Sequence, residues 1–209
     1  MLHELLTLDR PLVGIDLETT GIDPEVDRVV QLGIVKLYVD GRMTEWQTPV
    51  NPGVPIPKEA ANVHGITDAF VQHACMKCRL LRDEHPHVAM QDGTPACDEF
   101  VPVPLFASVA PVLYAGLNGC DLAGYNHGGF DVKVLRKEFS RCNISWQPGR
   151  LVDGFRMAQR VNPRNLSWFV ETYVEAADRA EFKAHDALHD ARQTMKGLLG
   201  FFMRHPDFP

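Results

Sequence analysis

Two carboxylates, Asp16 and Glu18, stand two residues apart at the end of an apolar stretch. This stretch begins at Pro11 and has the pattern of a buried strand that ends at the polar turn Thr19–Gly21. Side chains two apart on a strand project from the same face, so the two carboxylates would lie side by side. Two like charges there are costly unless cations neutralise them, and hard divalent ions prefer carboxylate oxygens. The alternative is structural: one carboxylate caps a turn and the other pairs with Arg28.

A third carboxylate, Asp131, follows a short apolar strand predicted over 121–125 and opens an amphipathic helix predicted over 130–141. Asn126 lies in the segment between them, where we expect it to order the loop. The structural alternative is that Asp131 stabilises the helix N-terminus. A metal-binding role requires this strand to lie beside the first, which would bring Asp131 near Asp16.

The last predicted helix, over 187–202, is preceded by His185 and Asp186 and carries Asp190 in its first turn. Asp186 is suited to cap this helix. A histidine on the approach to a metal-binding carboxylate could take a proton from water. The alternative is that His185 is an ordinary surface histidine.

The elements that must position these residues alternate between strands and helices. Strands over 28–38 and 43–50, joined by the turn signal Asp40–Gly41, predict an antiparallel meander with the first strand. A proline-rich loop over 51–57 follows. A helix is predicted over 105–117 and a short final strand over 151–152. This order indicates a mixed sheet covered by helices.

Taken together, these residues resemble, in order, the three motifs of the DEDDh branch of the DEDD exonucleases. These enzymes are DnaQ-like, similar to the proofreading epsilon subunit of bacterial DNA polymerase III, and belong to the ribonuclease H-like superfamily. The motifs are Asp16-x-Glu18, Asn126-x-x-x-Phe130-Asp131 and His185-x-x-x-x-Asp190. Asn62–Thr67 and Ala184–Ala187 are also similar to the family. Asn126 and Asp131 are one residue further apart than is usual in epsilon-type sequences.

The resemblance implies an α/β, ribonuclease H-like fold: a five-stranded mixed sheet flanked by helices. Its first strand would be central, with the 121–125 strand adjacent and parallel. The site would lie beyond the carboxyl ends of these two strands, where ligands commonly bind open α/β sheets. The implied cofactors are two Mg²⁺ or Mn²⁺ ions. By similarity, Asp16 bridges both ions, Glu18 and Asp190 hold the ion that carries the attacking water, and Asp131 holds the other together with Asp16.

The implied activity is that of a 3′–5′ exonuclease on single-stranded DNA 3′ ends, which releases nucleoside 5′-monophosphates while His185 deprotonates the water. Thr19, Thr20 and His64 match positions that line the terminal-nucleotide pocket in relatives. One alternative is an exoribonuclease or oligonucleotide trimmer, since discrimination of the 2′-OH depends on pocket shape. Another is a non-catalytic polymerase accessory subunit, although a scaffold has no need for four carboxylates and His185. Proofreading would require a DNA polymerase or another replication or repair partner.

The composition is that of a soluble globular protein, and we expect one domain over 1–209. With 21 Lys and Arg against 27 Asp and Glu, the net charge is -6. This charge argues against binding of nucleic acid by bulk positive charge alone, but it does not exclude binding with the help of bound cations. No apolar run reaches the ~20 residues of a membrane span, and the N-terminus lacks a signal-peptide pattern. We therefore expect a cytoplasmic protein without a membrane partner.

The helix predicted over 130–141 carries a row of cations opposite its apolar face: Lys133, Arg136, Lys137 and Arg141. They could steer a phosphate backbone toward the site. An ordinary solvated helix face has the same composition, and we favour that interpretation.

An insertion is predicted at about 73–104, because this segment has weak periodicity and is long for a loop. Four of its residues could close a structural zinc site: Cys75, Cys78, His85 and Cys97. Against zinc, the spacing matches no standard finger, and free cysteines in a reducing cytoplasm need no partner. Five cysteines in a chain without an export signal argue against a disulfide framework.

Overall fold

Five strands form a single mixed sheet at the centre of the molecule. The computed structural model describes residues 8–73, 101–161, 165–179 and 185–205. The strands are β1 (Leu12–Thr19), β2 (Val29–Leu37), β3 (Met43–Pro49), β4 (Asp121–Gly124) and β5 (Leu151–Asp153). Their spatial order is β3-β2-β1-β4-β5, with β1 antiparallel to β2 and parallel to β4. The predicted five-stranded mixed sheet, its antiparallel meander and its central first strand are therefore confirmed.

Helices cover both faces of this sheet. They are α1 (Lys58–His64), α2 (Asp68–His73), α3 (Phe106–Leu117), α4 (Asp131–Arg141), α5 (Gly154–Val161), α6 (Leu166–Tyr173), α7 (Ala176–Arg179) and α8 (Ala187–Arg204). The sequence predicts the three longest, α3, α4 and α8. The other five have eight residues or fewer, too short for a period of 3.6 to stand out, and they depend on tertiary packing for stability.

The alternation of side chains along β1 decides which face carries the chemistry. Val13, Ile15 and Leu17 pack into the core that α3 and α4 cover. Because successive strand residues point to opposite faces, Asp16 and Glu18 project to the other face. Gly14 points to the same face as Asp16, and a Cβ on Gly14 would lie 2.6 Å from the Met195 side chain of α8. The helix that covers this face is therefore α8. The first two carboxylates therefore lie on the α8 side of the sheet.

The amino end of α8 contacts the sheet directly at Gly33 of β2. A Cβ on this glycine would lie 2.1 Å from the backbone carbon of Ala187 and 2.2 Å from the Leu188 nitrogen. Any larger residue would hold the start of α8 away from β2. Gly33 thus sets the height of α8 above the sheet.

A small apolar cluster includes residues that precede the predicted insertion and Val103, at the carboxyl end of that insertion. Ile56, Ile66, Val71 and Val103 pack against Val30 of β2. Val71 of α2 and Val103 therefore pack in the same cluster, although 31 residues lie between them in the chain. The four residues of the predicted zinc site, Cys75, Cys78, His85 and Cys97, lie outside the described residues.

Among the described residues, none of the helices combines the length and the apolar character that crossing a membrane requires.

Candidate active site

Four carboxylates from three parts of the chain meet at one edge of the sheet. Asp16 and Glu18 lie near the end of β1, Asp131 begins α4 after the loop that follows β4, and Asp190 lies in the first turn of α8. Since β1 and β4 are parallel and in contact, their carboxyl ends lie together at this edge. Glu18, Asp131 and Asp190 are each less than a tenth exposed, and Asp16 is half-buried. The structure therefore brings together all four acids that the sequence motifs single out.

Burial and the charges of neighbouring acids raise the pKa values of these carboxyl groups. Burial and the charges of Asp131, Asp190 and Glu18 raise the pKa of Asp16 well above its usual range. Burial, with the Asp190 and Asp131 charges, raises the pKa of Glu18 to about 8. Burial raises the pKa of Asp131 to about 7, although hydrogen bonds from its own backbone and that of Leu17 counteract part of the rise. Near neutral pH, the cluster can therefore carry its full negative charge only if cations compensate the repulsion.

The two carboxylate oxygens of Asp190 differ: one accepts a hydrogen bond, and the other accepts none from the described residues. Its Oδ2 accepts a hydrogen bond of 3.0 Å from the backbone N–H of His185. Burial raises its pKa to about 6 despite that bond. Its Oδ1 is buried and has no hydrogen-bond partner among the residues that the structure describes. A buried carboxylate oxygen without a donor is an expected position for a metal ligand.

His185 lies beside these acids, as the sequence predicts. One ligand atom from each of Glu18, His185 and Asp190 lies within 4.8 Å of the other two, which is close enough for one metal ion. His185 is exposed, and its backbone has a positive φ of 63°. Histidine adopts this left-handed conformation more often than most residues, but positive φ remains uncommon outside glycine and clusters at functional sites. The side chain is at the surface, yet its position next to two buried acids is not that of an ordinary surface histidine.

The structural alternative for the first motif is wrong. The Arg28 guanidinium pairs with Glu138 of α4, with N···O distances of 2.6 and 3.2 Å. Asp27 closes the β1–β2 turn by accepting a hydrogen bond from the Thr20 hydroxyl at 2.8 Å. Turn closure and the pairing of Arg28 are therefore supplied by other acids, and Asp16 and Glu18 are left for the cluster.

The three predicted substrate-binding residues lie at the same edge. The Thr19 hydroxyl donates to the carbonyl of Gly21 at 2.6 Å, and the Thr20 hydroxyl is held in the turn. His64, at the end of α1, is half-buried and accepts a hydrogen bond from the Ile66 N–H on Nδ1 at 3.0 Å. Burial lowers the pKa of His64; the Thr19 backbone opposes this shift, and His185 adds to it. His64 is therefore a neighbour of both Thr19 and His185.

Asp153 is a site residue that the sequence motifs do not reveal. It ends β5, the strand next to β4, and its Oδ1 accepts hydrogen bonds from the N–H groups of Asn126 and Phe155 at 2.9 and 3.0 Å. Its Oδ2 lies 3.5 Å from Nδ1 of the fully buried His127. Asn126 has a φ of 61°, so this contact fixes a turn that few residues adopt. Asp153 thus fixes the conformation of the loop that precedes Asp131. Its position at the carboxyl end of a strand is the sequence signal by which it could have been identified.

Three of the four cations on this face of α4 make contacts within the protein. Lys137 pairs with Glu25 at 2.9 Å, Arg141 pairs with Glu138 at 3.2 Å, and Arg136 donates to the Gln147 side chain at 2.6 Å. These contacts favour the interpretation of an ordinary solvated helix face.

Comparisons with known proteins find similarity to exonucleases. The model of the exonuclease family RNase_T matches residues 13–88. The 3′–5′ exonuclease DinG of Staphylococcus aureus is 23% identical over 195 residues, which cover 93% of this chain and 18% of DinG. The chain thus spans less than a fifth of that relative.

Solved structures of Escherichia coli exonuclease I share the fold. Its complex with a dT13 oligonucleotide superposes with a TM-score of 0.62 at 18% identity, over 93% of this chain and 41% of the enzyme. The zinc-bound form of its complex with single-stranded DNA gives a TM-score of 0.64 at 18% identity, over 94% and 41%. This chain is therefore similar to an exonuclease family over part of its sequence, to DinG over most of its length, and to exonuclease I in its fold.

Proposed function

We propose that this chain is a metal-dependent 3′–5′ exonuclease of the DEDDh type that releases nucleoside 5′-monophosphates from single-stranded DNA. The observation that carries the proposal is the convergence of four carboxylates at the ends of β1 and β4, with His185 next to Glu18 and Asp190. A binding module would gain nothing from buried acids that repel one another. An enzyme that acts on phosphodiesters gains a place for cations.

The residues of the site fit divalent ions. All four acids have raised pKa values, so cations would relieve their repulsion, and within the described part of the chain Oδ1 of Asp190 has no donor. Two Mg²⁺ or Mn²⁺ ions would be held by Asp16, Glu18, Asp131 and Asp190. When bound, such ions stabilise the attacking and leaving oxygens of a phosphodiester during its hydrolysis. The zinc-bound exonuclease I complex supports a divalent-ion site on this fold.

His185 is the residue placed to accept a proton. It is exposed to water while its neighbours, Glu18 and Asp190, are buried. Its backbone N–H is held by Asp190, so the imidazole is positioned relative to the acid cluster rather than free to move with the surface. An imidazole in this place can remove a proton from the attacking water near neutral pH.

The nucleotide at the 3′ end would bind along Thr19, Thr20 and His64, which line the same edge of the sheet. Single-stranded DNA is the substrate we propose, because the exonuclease I neighbours were solved with a dT13 oligonucleotide and with single-stranded DNA. Proofreading, with a DNA polymerase as partner, is the cellular role that the resemblance to the epsilon subunit suggests. The catalytic test needs no such partner.

Cleavage of labelled DNA tests the proposal as a whole. With 5′-labelled single-stranded DNA and Mg²⁺ or Mn²⁺, we expect a ladder that shortens from the 3′ end, is abolished by EDTA, and is slower on RNA of the same sequence. Asp16→Ala should abolish the ladder, because the cluster loses the acid that all the others surround. Asp178→Ala, which removes an exposed acid of α7, should cleave like the wild type. Faster cleavage of RNA would indicate the exoribonuclease alternative, and normal cleavage by Asp16→Ala would contradict the proposal.

His185→Ala tests the role of the imidazole. We expect kcat to fall by the ~10²–10⁴-fold typical of a lost general base, while the affinity for Mn²⁺ changes little. Imidazole added to the solution should restore part of the rate, because it can enter the space that the side chain leaves. His205→Ala, at the far end of α8, is the matched control and should be as active as the wild type. An undiminished rate in His185→Ala would refute the assignment.

The raised pKa values predict an unusual dependence of stability on pH. A carboxyl group whose pKa is raised in the folded state binds its proton more tightly there, so its contribution to stability is lost as pH rises through that value. Without metal, the free energy of unfolding should therefore decrease as pH rises from about 4.5, the ordinary pKa of a glutamate, to about 8, the pKa of Glu18 in the folded protein. Mn²⁺ should raise the melting temperature, and more so at the higher pH.

Glu18→Gln is the control for this titration, because it removes the group with a pKa of about 8. The metal-free variant should show a smaller loss of stability across the same range. If the wild type and Glu18→Gln lost stability equally, or if Mn²⁺ stabilised the protein equally at both pH values, the assigned repulsion within the cluster would be wrong.

A further inference from the structure

The amino end of α8 carries both His185 and Asp190, and side chains of β2 and β3 hold it. Asp186, between them, is the N-cap of α8 and accepts the His189 N–H at 3.2 Å. The two oxygens of the same carboxylate each lie 3.0 Å from Nε2 of Gln47, which donates to them. Asp186 is thus bound on one side by its own helix and on the other by β3.

Gln47 belongs to a row of residues that crosses three strands. Asp16 of β1 pairs with Gly33 of β2, and Gly33 pairs with Gln47 of β3. Residues paired across strands share a face of the sheet, so Asp16 and Gln47 lie on the same face, on either side of Gly33. The start of α8 rests on Gly33, as described above. Gln47 therefore holds α8 from one side of that contact, and the acid cluster lies on the other.

A second glutamine, Gln31 of β2, also binds the amino end of α8. Gln31 pairs with Glu18 across β1 and β2, and its side-chain oxygen accepts the backbone N–H of Ala187 at 3.0 Å. An N–H at the first residue of a helix has no partner within the helix. Gln31 satisfies this group and, with Gln47, joins the start of α8 to the sheet at two points.

The chemistry of an amide suits this position. Asp186 lies close enough to Asp16, Glu18 and Asp190 for its charge to raise their pKa values. A lysine or arginine in place of Gln47 would hold Asp186 as well, but it would add a positive charge beside the acid cluster. Glutamine supplies the hydrogen bond and leaves the charge of the site unchanged.

We propose that Gln47 is a positioning residue of the active site: through Asp186 it fixes the left-handed turn at His185 and the first turn of α8, and so sets where His185 and Asp190 lie. This inference rests on the proposed function for its catalytic consequence. Its structural part, the attachment of α8 to β3 at Asp186, can be measured without substrate.

The test compares variants that remove the hydrogen bond from Gln47 to Asp186, exchange its donor and acceptor, or break a neighbouring ion pair. Gln47→Ala removes the donor without adding a charge, and Gln47→Glu places two carboxylates against each other. Gln47→Glu combined with Asp186→Asn restores a bond of reversed polarity with the original net charge, and asparagine still caps the helix. Glu45→Ala is the matched control, because it breaks an ion pair between the same strand and the same helix, at Arg192.

We expect Gln47→Ala and Gln47→Glu to lower kcat by about 10- to 100-fold with little change in KM, since a displacement of about 1 Å can reduce a rate by this much. The double variant should recover most of the loss, and Glu45→Ala should match the wild type. A kcat of Gln47→Ala equal to that of Glu45→Ala, or a double variant as slow as Gln47→Glu, would overturn the proposal.

Amide hydrogen exchange separates this inference from the proposed function. The His189 N–H, which bonds to Asp186, should exchange faster in Gln47→Ala than in the wild type or in Glu45→Ala. If exchange accelerates but the wild type cleaves no nucleic acid, the attachment stands and the proposed function fails. If exchange at His189 is unchanged, Gln47 does not position α8, whatever the activity.

Discussion

The mutual repulsion of four carboxylates is the constraint on which the rest of this structure depends. Asp16, Glu18, Asp131 and Asp190 lie together with little access to water, and each holds its proton more tightly than an ordinary acid. Such an arrangement opposes folding above neutral pH unless cations compensate it. The same repulsion that destabilises the metal-free protein is a source of affinity for divalent ions.

The fold holds these charges together by attaching each one to an element that cannot move independently. The alternation of β1 places Val13, Ile15 and Leu17 in the core, and this fixes the opposite direction for Asp16 and Glu18. Asp153 at the end of β5 fixes the turn before Asp131. The absence of a side chain at Gly33 lets α8 reach the sheet, where two glutamines hold its first turn. The apolar packing of the sheet thus provides the stability that the acid cluster reduces.

Much of this arrangement could be predicted from local patterns. The strand before Asp16, the helix after Asp131 and the cap at Asp186 each follow from periodicity or capping preference within a few residues. The proximity of β1 and β4 could not be derived in this way; it came from the resemblance to a family. Asp153, Gln31 and Gln47 escaped prediction because their roles depend on pairing across strands far apart in the chain, and a single glutamine in a strand has no distinctive pattern. Short helices such as α1, which carries His64, escaped because their stability comes from packing.

Anomalous diffraction from crystals grown with Mn²⁺ tests the central claim most directly, because it locates the ions without relying on activity. We predict two manganese ions held between them by Asp16, Glu18, Asp131 and Asp190, and no such peaks in Asp16→Ala crystals. Manganese bound elsewhere, with the four acids free of metal at saturating concentration, would contradict it.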